Sequence, residues 1–68
     1  MYPKRVDLIE ARNRNGLTNR DFAIALGEPP STTGQRLTGY MLLSWKQEQI
    51  IRNIIREAEK RRCTPASE

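Results

Sequence analysis

A chain of 68 residues makes one small domain, and cores of this size commonly need a metal, disulfides or oligomerisation for added stability. A single cysteine, Cys63, and the lack of histidine exclude a disulfide framework and nearly all zinc sites, which leaves oligomerisation. Twelve Lys and Arg against eight Asp and Glu give a net charge of +4, which favours a polyanionic partner but also fits a merely soluble basic surface.

The composition also argues against several function classes. Without histidine, nucleophilic triads and proton shuttles lack their usual base, and no glycine-rich phosphate loop is present. Cys63 has basic neighbours but lies in a predicted tail without a pocket. No signal peptide, transmembrane run or lipidation motif is visible. We therefore expect a cytoplasmic protein that is not an enzyme, with no cofactor, no metal, no membrane and no small-molecule substrate.

The first half of the chain predicts two helices behind a loose end at residues 1–3. An imperfect apolar stripe over residues 4–15 predicts a helix that Gly16 ends. Thr18 is the expected N-cap of the next helix, because its hydroxyl can accept from the backbone N–H of Asp21, whose charge also suits the first turn. This second helix spans about two turns. Gly27 is expected to end it with a positive φ.

A third helix is predicted from Pro30 to Thr38, since proline at the first helical position loses no hydrogen bond and pre-sets φ. Its residues are mostly hydroxyls, an amide and a guanidinium, and Leu37 is the only obvious core residue. Burial and helix propensity do not explain this composition. Contacts with base edges and phosphates would explain it.

The fourth predicted helix runs from Trp45 to about Arg62, and residues 63–68 are expected to form a disordered tail. Ser44 and Gln47 form a capping-box pattern at its start. Its apolar stripe spans roughly 140°, more than three short helices would cover. We expect one edge to pack within the chain and the other to meet a second chain, with a wholly intrachain core as the alternative. The predicted dimer interface comprises Trp45, Ile50, Ile51, Ile54, Ile55 and Ala58.

The run from Ala11 to Leu26, followed by a glycine, resembles the helix-turn-helix domain of phage repressors and Cro-like regulators. That family has an Arg four residues before Gly-Leu-Thr, then a short helix with a central Ala and a terminal Leu-Gly. The matching residues are Arg12, Gly16, Leu17, Thr18, Ala23, Leu26 and Gly27. The segment from Gly34 to Gly39 is similar to the end of the family's recognition helix. The resemblance covers residues 8–40 and implies an all-α, compact helix-turn-helix domain of about four helices.

The chain departs from the family's pattern in and around the third helix. Glu28 and Pro29 stand where the family has an aliphatic residue and a Ser or Thr N-cap. The aliphatic residue that anchors the recognition helix falls on Thr33, which leaves a one-residue shift in register open. Leu37 stands where an acid often pairs with the family's Arg. Arg12 therefore either pairs with Glu28 or contacts a phosphate.

The resemblance implies DNA binding through the third helix and the start of the second. The residues expected at the DNA are Asn19, Arg20, Ser31, Thr32, Gln35, Arg36 and Thr38. Glutamine can bind adenine bidentately, so Gln35 is the expected base reader, with a solvated surface amide as the alternative. Arg36 is expected to clamp a phosphate, and Gly34 to let the helix approach the groove closely. Further phosphate contacts are expected from Lys4, Arg5, Arg12, Arg14 and Lys46, although a solvated helix face is the alternative for Arg12 and Arg14.

The expected function is sequence-specific transcriptional regulation, with repression of the kind used by phages and mobile elements. A homodimer would present two recognition helices about 34 Å apart to a palindromic site in double-stranded DNA. The alternative is an antitoxin-like or phage adaptor module that binds a partner protein through the Ile-rich fourth helix.

Overall fold

The structure, a computed structural model, describes residues 1–63 and has four α-helices within them. These are α1 (Val6–Arg14), α2 (Asn19–Leu26), α3 (Pro30–Thr38) and α4 (Trp45–Cys63). The all-α fold with a long C-terminal helix, predicted from the sequence, is confirmed. Cys63, expected in the tail, is the last residue of α4, and the rest of that tail lies outside the described residues. No helix in the described part of the chain is both long and apolar enough to cross a membrane.

Local capping groups set the helix boundaries. The backbone N–H of Asp21 donates to the Thr18 hydroxyl at 3.4 Å, and the backbone N–H of Thr18 donates to the Asp21 carboxylate at 2.8 Å. Ser44 and Gln47 form the same reciprocal pair before α4, with distances of 3.0 and 3.2 Å. Each pair satisfies backbone donors that have no partner inside the helix. Both predicted caps are confirmed.

All four helices contribute to one hydrophobic core. Its buried members are Leu8, Ala11, Phe22, Leu37, Ile51 and Ile55. The helices α1 and α2 each pack against both α3 and α4. Both α1 and α2 therefore join α3 to α4.

The apolar stripe of α4 is buried inside the chain over most of its width. Three residues of the stripe that were predicted to form a dimer interface expose less than a tenth of their surface, namely Ile51, Ile55 and Ala58. For these three residues the prediction is wrong. Ile50 and Ile54 are half-buried, and Ile54 packs against the core. The reason is that both α1 and α2 pack on α4, so two helices cover the stripe. Trp45 alone of the predicted interface residues is fully exposed, at 75%.

An ion-pair network joins the N-terminal segment and α1 to α4. Arg5 donates to the two carboxylate oxygens of Glu48 at 2.8 and 3.0 Å. Arg52 donates to Glu48 at 2.7 Å and to Asp7 at 3.1 Å. Hydrogen bonds from Arg5 and then Arg52 lower the pKa of the Glu48 carboxyl to about 2. Arg5, expected at a phosphate, is therefore held inside the protein by α4.

This network should make the stability of the protein depend on pH. The folded-state pKa of Glu48 lies below its ordinary value of 4.5, so its stabilisation is present above that value and is lost as the pH falls toward 2. Because the Glu48 side chain is partly exposed to solvent, we expect this carboxylate to contribute about 2 kcal/mol to the free energy of unfolding at neutral pH. Urea unfolding at a series of acidic pH values should therefore show that the free energy of unfolding falls more steeply with decreasing pH in the wild type than in Glu48→Gln. The variant has no carboxyl at this position to titrate. Parallel losses would show that Glu48 does not contribute.

Candidate nucleic-acid interface

The helices α2 and α3, with the turn between them, form a helix-turn-helix unit. The backbone N–H groups of Gly27 and Glu28 both donate to the carbonyl of Ala23, at 2.8 and 3.1 Å, which closes the end of α2. Gly27 has φ +73°, a left-handed conformation that glycine adopts without strain. Pro30 is the first residue of α3, as predicted, and Pro29 is its N-cap. The two prolines therefore start α3 without losing a backbone hydrogen bond.

Burial fixes the register of α3. Thr33 and Leu37 are one helical turn apart, and both are buried against the rest of the protein. The position that the family gives to an aliphatic residue is thus taken by Thr33, without a one-residue shift. Gln35 lies two residues from each of them and is exposed on the other side of the helix. Ser31 and Thr38 are also exposed, whereas Thr32 is half-buried.

A polar cluster explains how a threonine can occupy this buried position. We call it the Glu28 cluster, and it comprises Glu28, Thr33 and Arg36. The Thr33 hydroxyl donates to Glu28 Oε2 at 3.0 Å, and Arg36 Nε donates to both Glu28 oxygens at 3.0 and 3.1 Å. Arg36 Nη1 also donates to the carbonyl of Leu42 at 2.6 Å. The buried hydroxyl is therefore satisfied, as buried polar groups need to be.

The cluster changes the role of Arg36. Only 17% of its side chain is exposed, and its Nε and Nη1 are used within the protein. It was expected to clamp a phosphate, but the ion pair with Glu28 and the bond to the α3–α4 loop hold it away from that role. We therefore do not count Arg36 among the residues that face a nucleic acid.

Arg12 does not pair with Glu28, one of the two alternatives left open by the sequence. Its Nη1 donates to Asn19 Oδ1, and its Nε and Nη2 donate to Asn13 Oδ1 at 3.2 and 2.9 Å. Glu28 is not its partner, because Glu28 is taken by Arg36. A guanidinium has no acceptor, so the Arg12 bond orients the Asn19 amide with its oxygen toward α1. The Asn19 nitrogen then lies beside Gly34 of α3.

Gly34 accommodates the Asn19 amide. A Cβ at position 34 would stand 3.0 Å from Asn19 Nδ2, the mobile end of a side chain. Alanine is favoured over glycine inside a helix by about 1 kcal/mol, so we expect Gly34→Ala to raise the free energy of unfolding by about 0.5 kcal/mol while displacing the Asn19 amide. Thermal unfolding and the Asn19 side-chain NMR resonances test this, with Ser31→Ala on the same helix as the control. A clear loss of stability would show that Asn19 cannot move.

The remaining predicted phosphate contacts divide by their partners. Arg14 forms an exposed ion pair with Glu59 of α4 at 3.1 Å, and such pairs contribute little. Arg20, Lys4 and Lys46 are exposed and form no ion pair within the described part of the chain. Together with Arg12, which bonds only to amide oxygens, these are the predicted DNA and phosphate contacts that remain available to an anionic partner.

The N-terminal segment is attached to the end of α3, where a loose end was expected. The backbone N–H of Tyr2 donates to the carbonyl of Gly39, and that of Arg5 to the carbonyl of Leu37, both at 2.8 Å. These bonds satisfy carbonyls that the end of a helix leaves without a partner. No side-chain pattern in the sequence signals such backbone pairing.

An exposed apolar stretch directly follows α3. It comprises Tyr40, Leu42 and Trp45, which expose 69, 55 and 75% of their surface. Between them, Met41 is half-buried and Leu43 packs against the core. The exposure of Tyr40 was not anticipated, because the sequence does not show which residues of this loop face inward. Solvent-exposed aromatic residues close together are typical of surfaces that contact another molecule.

The comparisons with known proteins add no family to this description. No family model matches the chain, and neither the curated proteins nor the solved structures contain a significant match. The likeness to phage repressors therefore rests on the motif residues alone, and the function has to be inferred from the surface of the helix-turn-helix unit.

Proposed function

We propose that this protein is a cytoplasmic, sequence-specific DNA-binding transcriptional regulator, a repressor that reads a palindromic operator as a homodimer through α3. The observation that supports this is the composition of the exposed face of α3. Ser31 and Gln35 place a hydroxyl and an amide there, beside Thr38, whose hydroxyl donates to the Gly34 carbonyl, and the whole helix has no carboxylate. Groups of this kind hydrogen-bond base edges and phosphates, and a helix without acids avoids repulsion from the DNA backbone.

Gln35 is the proposed base reader within this face. It lies opposite the buried residues of α3, so it points away from the protein body. Its amide can bind adenine N6 and N7 together in the major groove. Asn19 and Arg20 at the start of α2, with Ser31 and Thr32 at the start of α3, are proposed to position the protein on the DNA. Their contacts would carry little sequence information.

The proposed homodimer depends on the exposed apolar stretch, because most of the α4 stripe is buried. Tyr40, Leu42 and Trp45 follow the C-terminal end of α3, so a contact between two copies there would lie between their two recognition helices. The same exposure favours a second candidate function, a protein-interaction module. In that case the stretch would bind a different protein, and α3 would have no preferred DNA sequence.

Binding to the DNA upstream of the protein's own coding region separates the two functions. Affinities for this DNA and for a shuffled duplex are compared at about 150 mM salt, where simple attraction to phosphates is reduced. A regulator should prefer the upstream DNA by about a thousandfold or more, with two chains per duplex. Equal, salt-sensitive binding to both duplexes, or none, would contradict it and favour the protein-interaction module.

Replacing Gln35 tests its role as the base reader. Gln35→Ala should weaken binding to the preferred DNA by about 1–3 kcal/mol and leave binding to the shuffled duplex almost unchanged. Arg20→Gln is the matched control, because loss of a phosphate contact should weaken binding to both duplexes and reduce the salt dependence by about one ion. Equal effects of Gln35→Ala on both duplexes would remove Gln35 as a reader.

A further inference from the structure

The Glu28 cluster lies where it can control the orientation of α3. Glu28 belongs to the turn before the helix, and Thr33 and Arg36 belong to the helix itself. Arg36 continues the chain of bonds to the Leu42 carbonyl in the loop after the helix. One connected set of hydrogen bonds therefore spans the turn, the helix and the loop, and ties α3 to the segments that flank it on both sides.

The apolar contacts of α3 do not by themselves fix its orientation tightly. Leu37 is its only fully buried apolar residue, and Gly34 in its centre lowers its helix propensity. The helix packs against α1 and α2, but with one fully buried apolar side chain a small rotation about its own axis costs little apolar burial. Hydrogen bonds between charged groups are directional, so a helix held by them has fewer acceptable orientations.

The cluster is largely removed from solvent. The side chains of Glu28 and Arg36 expose 12 and 17% of their surface, and Thr33 exposes none. Buried ion pairs often contribute little net stability, because desolvation offsets the attraction. An apolar set of residues could stabilise α3 equally well. Stability alone therefore does not explain why three polar residues occupy this position.

We propose that Glu28 and Arg36 are positioning residues that determine DNA sequence preference by fixing the orientation of α3, without contacting DNA themselves. This inference rests on the proposed function. Gln35 directly precedes Arg36, so the bonds of Arg36 hold the segment of α3 that presents the base reader. A phosphate clamp at position 36 would need only positive charge, whereas the positioning role needs the two separate donors of a guanidinium.

Two variants separate positioning from stability. The triple variant Glu28→Leu, Thr33→Val, Arg36→Met replaces the cluster with apolar side chains. It should keep the thermal stability of the wild type and lower the preference for the upstream DNA over the shuffled duplex by about tenfold or more. Arg36→Lys keeps the charge and should also lower the preference, because an ammonium cannot reproduce the fork that joins Glu28 to Leu42. The Lys variant serves as the test if the triple variant does not fold.

A matched control uses the other ion pair of comparable exposure. Glu48→Gln removes the side-chain partner of Arg5 on α4 and leaves the backbone bond from Arg5 to Leu37 of α3 in place, so it should lower stability without changing DNA preference. A wild-type DNA preference in both cluster variants would overturn the proposal. An equal loss of DNA preference in Glu48→Gln would also overturn it, because the loss of preference would then be explained by the loss of stability.

Amide hydrogen exchange in the free protein gives a readout that does not depend on DNA. Residues 33–38 of α3 should exchange about tenfold faster in both cluster variants, while α2 keeps its wild-type rates. If the wild type shows no DNA preference, the proposed function fails, and exchange alone then decides whether the cluster orients α3. Unchanged exchange in α3 would overturn the positioning role in either case.

Discussion

Replacing Gly39 by alanine should lower the free energy of unfolding by about 3 kcal/mol or more, and the same replacement at Gly27 by only about 1 kcal/mol. Both glycines have a positive φ, +101° and +73°. They differ in their surroundings, because a Cβ at Gly27 meets nothing within 4 Å, while one at Gly39 would stand 2.3 Å from the carbonyl oxygen of Tyr2. That oxygen belongs to the backbone and cannot rotate away, so the N-terminal segment would have to leave α3.

Urea unfolding of the two alanine variants measures this difference. Deletion of residues 1–3 in each background is the control, since it removes the Tyr2 carbonyl together with its N–H bond to Gly39. The deletion should reduce the cost of Gly39→Ala to nearly that of Gly27→Ala. Equal costs for the two replacements in the full-length chain would show that the N-terminal segment is not held against α3.

Helix boundaries were predictable because the groups that set them are close in sequence. The Thr18 and Asp21 pair is three residues apart, as is the Ser44 and Gln47 pair, and both form as expected. The left-handed Gly27 directly follows the helix that it ends. Local hydrogen bonds of this kind need no knowledge of the rest of the fold.

The Glu28 cluster was not predictable from the separate departures of its members. Glu28 and Thr33 each look unfavourable when compared singly with a pattern that has aliphatic residues there, and Arg36 looks like a contact for a phosphate. Their side chains compensate for one another only once the turn and α3 have formed. A sequence pattern read position by position does not detect such compensation, because each residue is favourable only with the other two present.

The polar face of α3 could be inferred from composition, but the partners of the cations could not. Arg5, Arg14 and Arg36 all find carboxylates within the chain. The carboxylates that bind Arg5 and Arg14 belong to α4, more than forty residues away. For Arg5 and Arg14, availability to an anionic partner therefore depends on the packing of α4 and not on local sequence.

Replacing Ile51 by alanine should lower the free energy of unfolding by about 3 kcal/mol at every protein concentration. Ile51 has no exposed surface, so the change leaves a cavity within a single chain. The neighbouring Ile50 is half-buried, and Ile50→Ala is the matched control with an expected cost of about 1 kcal/mol. Urea unfolding at two protein concentrations measures both effects, and Ile51→Val, with an expected cost of about 1 kcal/mol, replaces Ile51→Ala if that variant does not fold.

Ile51→Ala together with Trp45→Ala tests where the proposed homodimer forms. If the exposed apolar stretch forms the dimer, Trp45→Ala should shift sedimentation toward the monomer without lowering the stability of the monomer. Ile51→Ala should instead lower the stability of monomer and dimer alike. A cost of Ile51→Ala that grows with protein concentration would show that the buried stripe of α4 opens to meet a second chain. In that case the dimer would form through α4, and the core described for the single chain would have to rearrange on association.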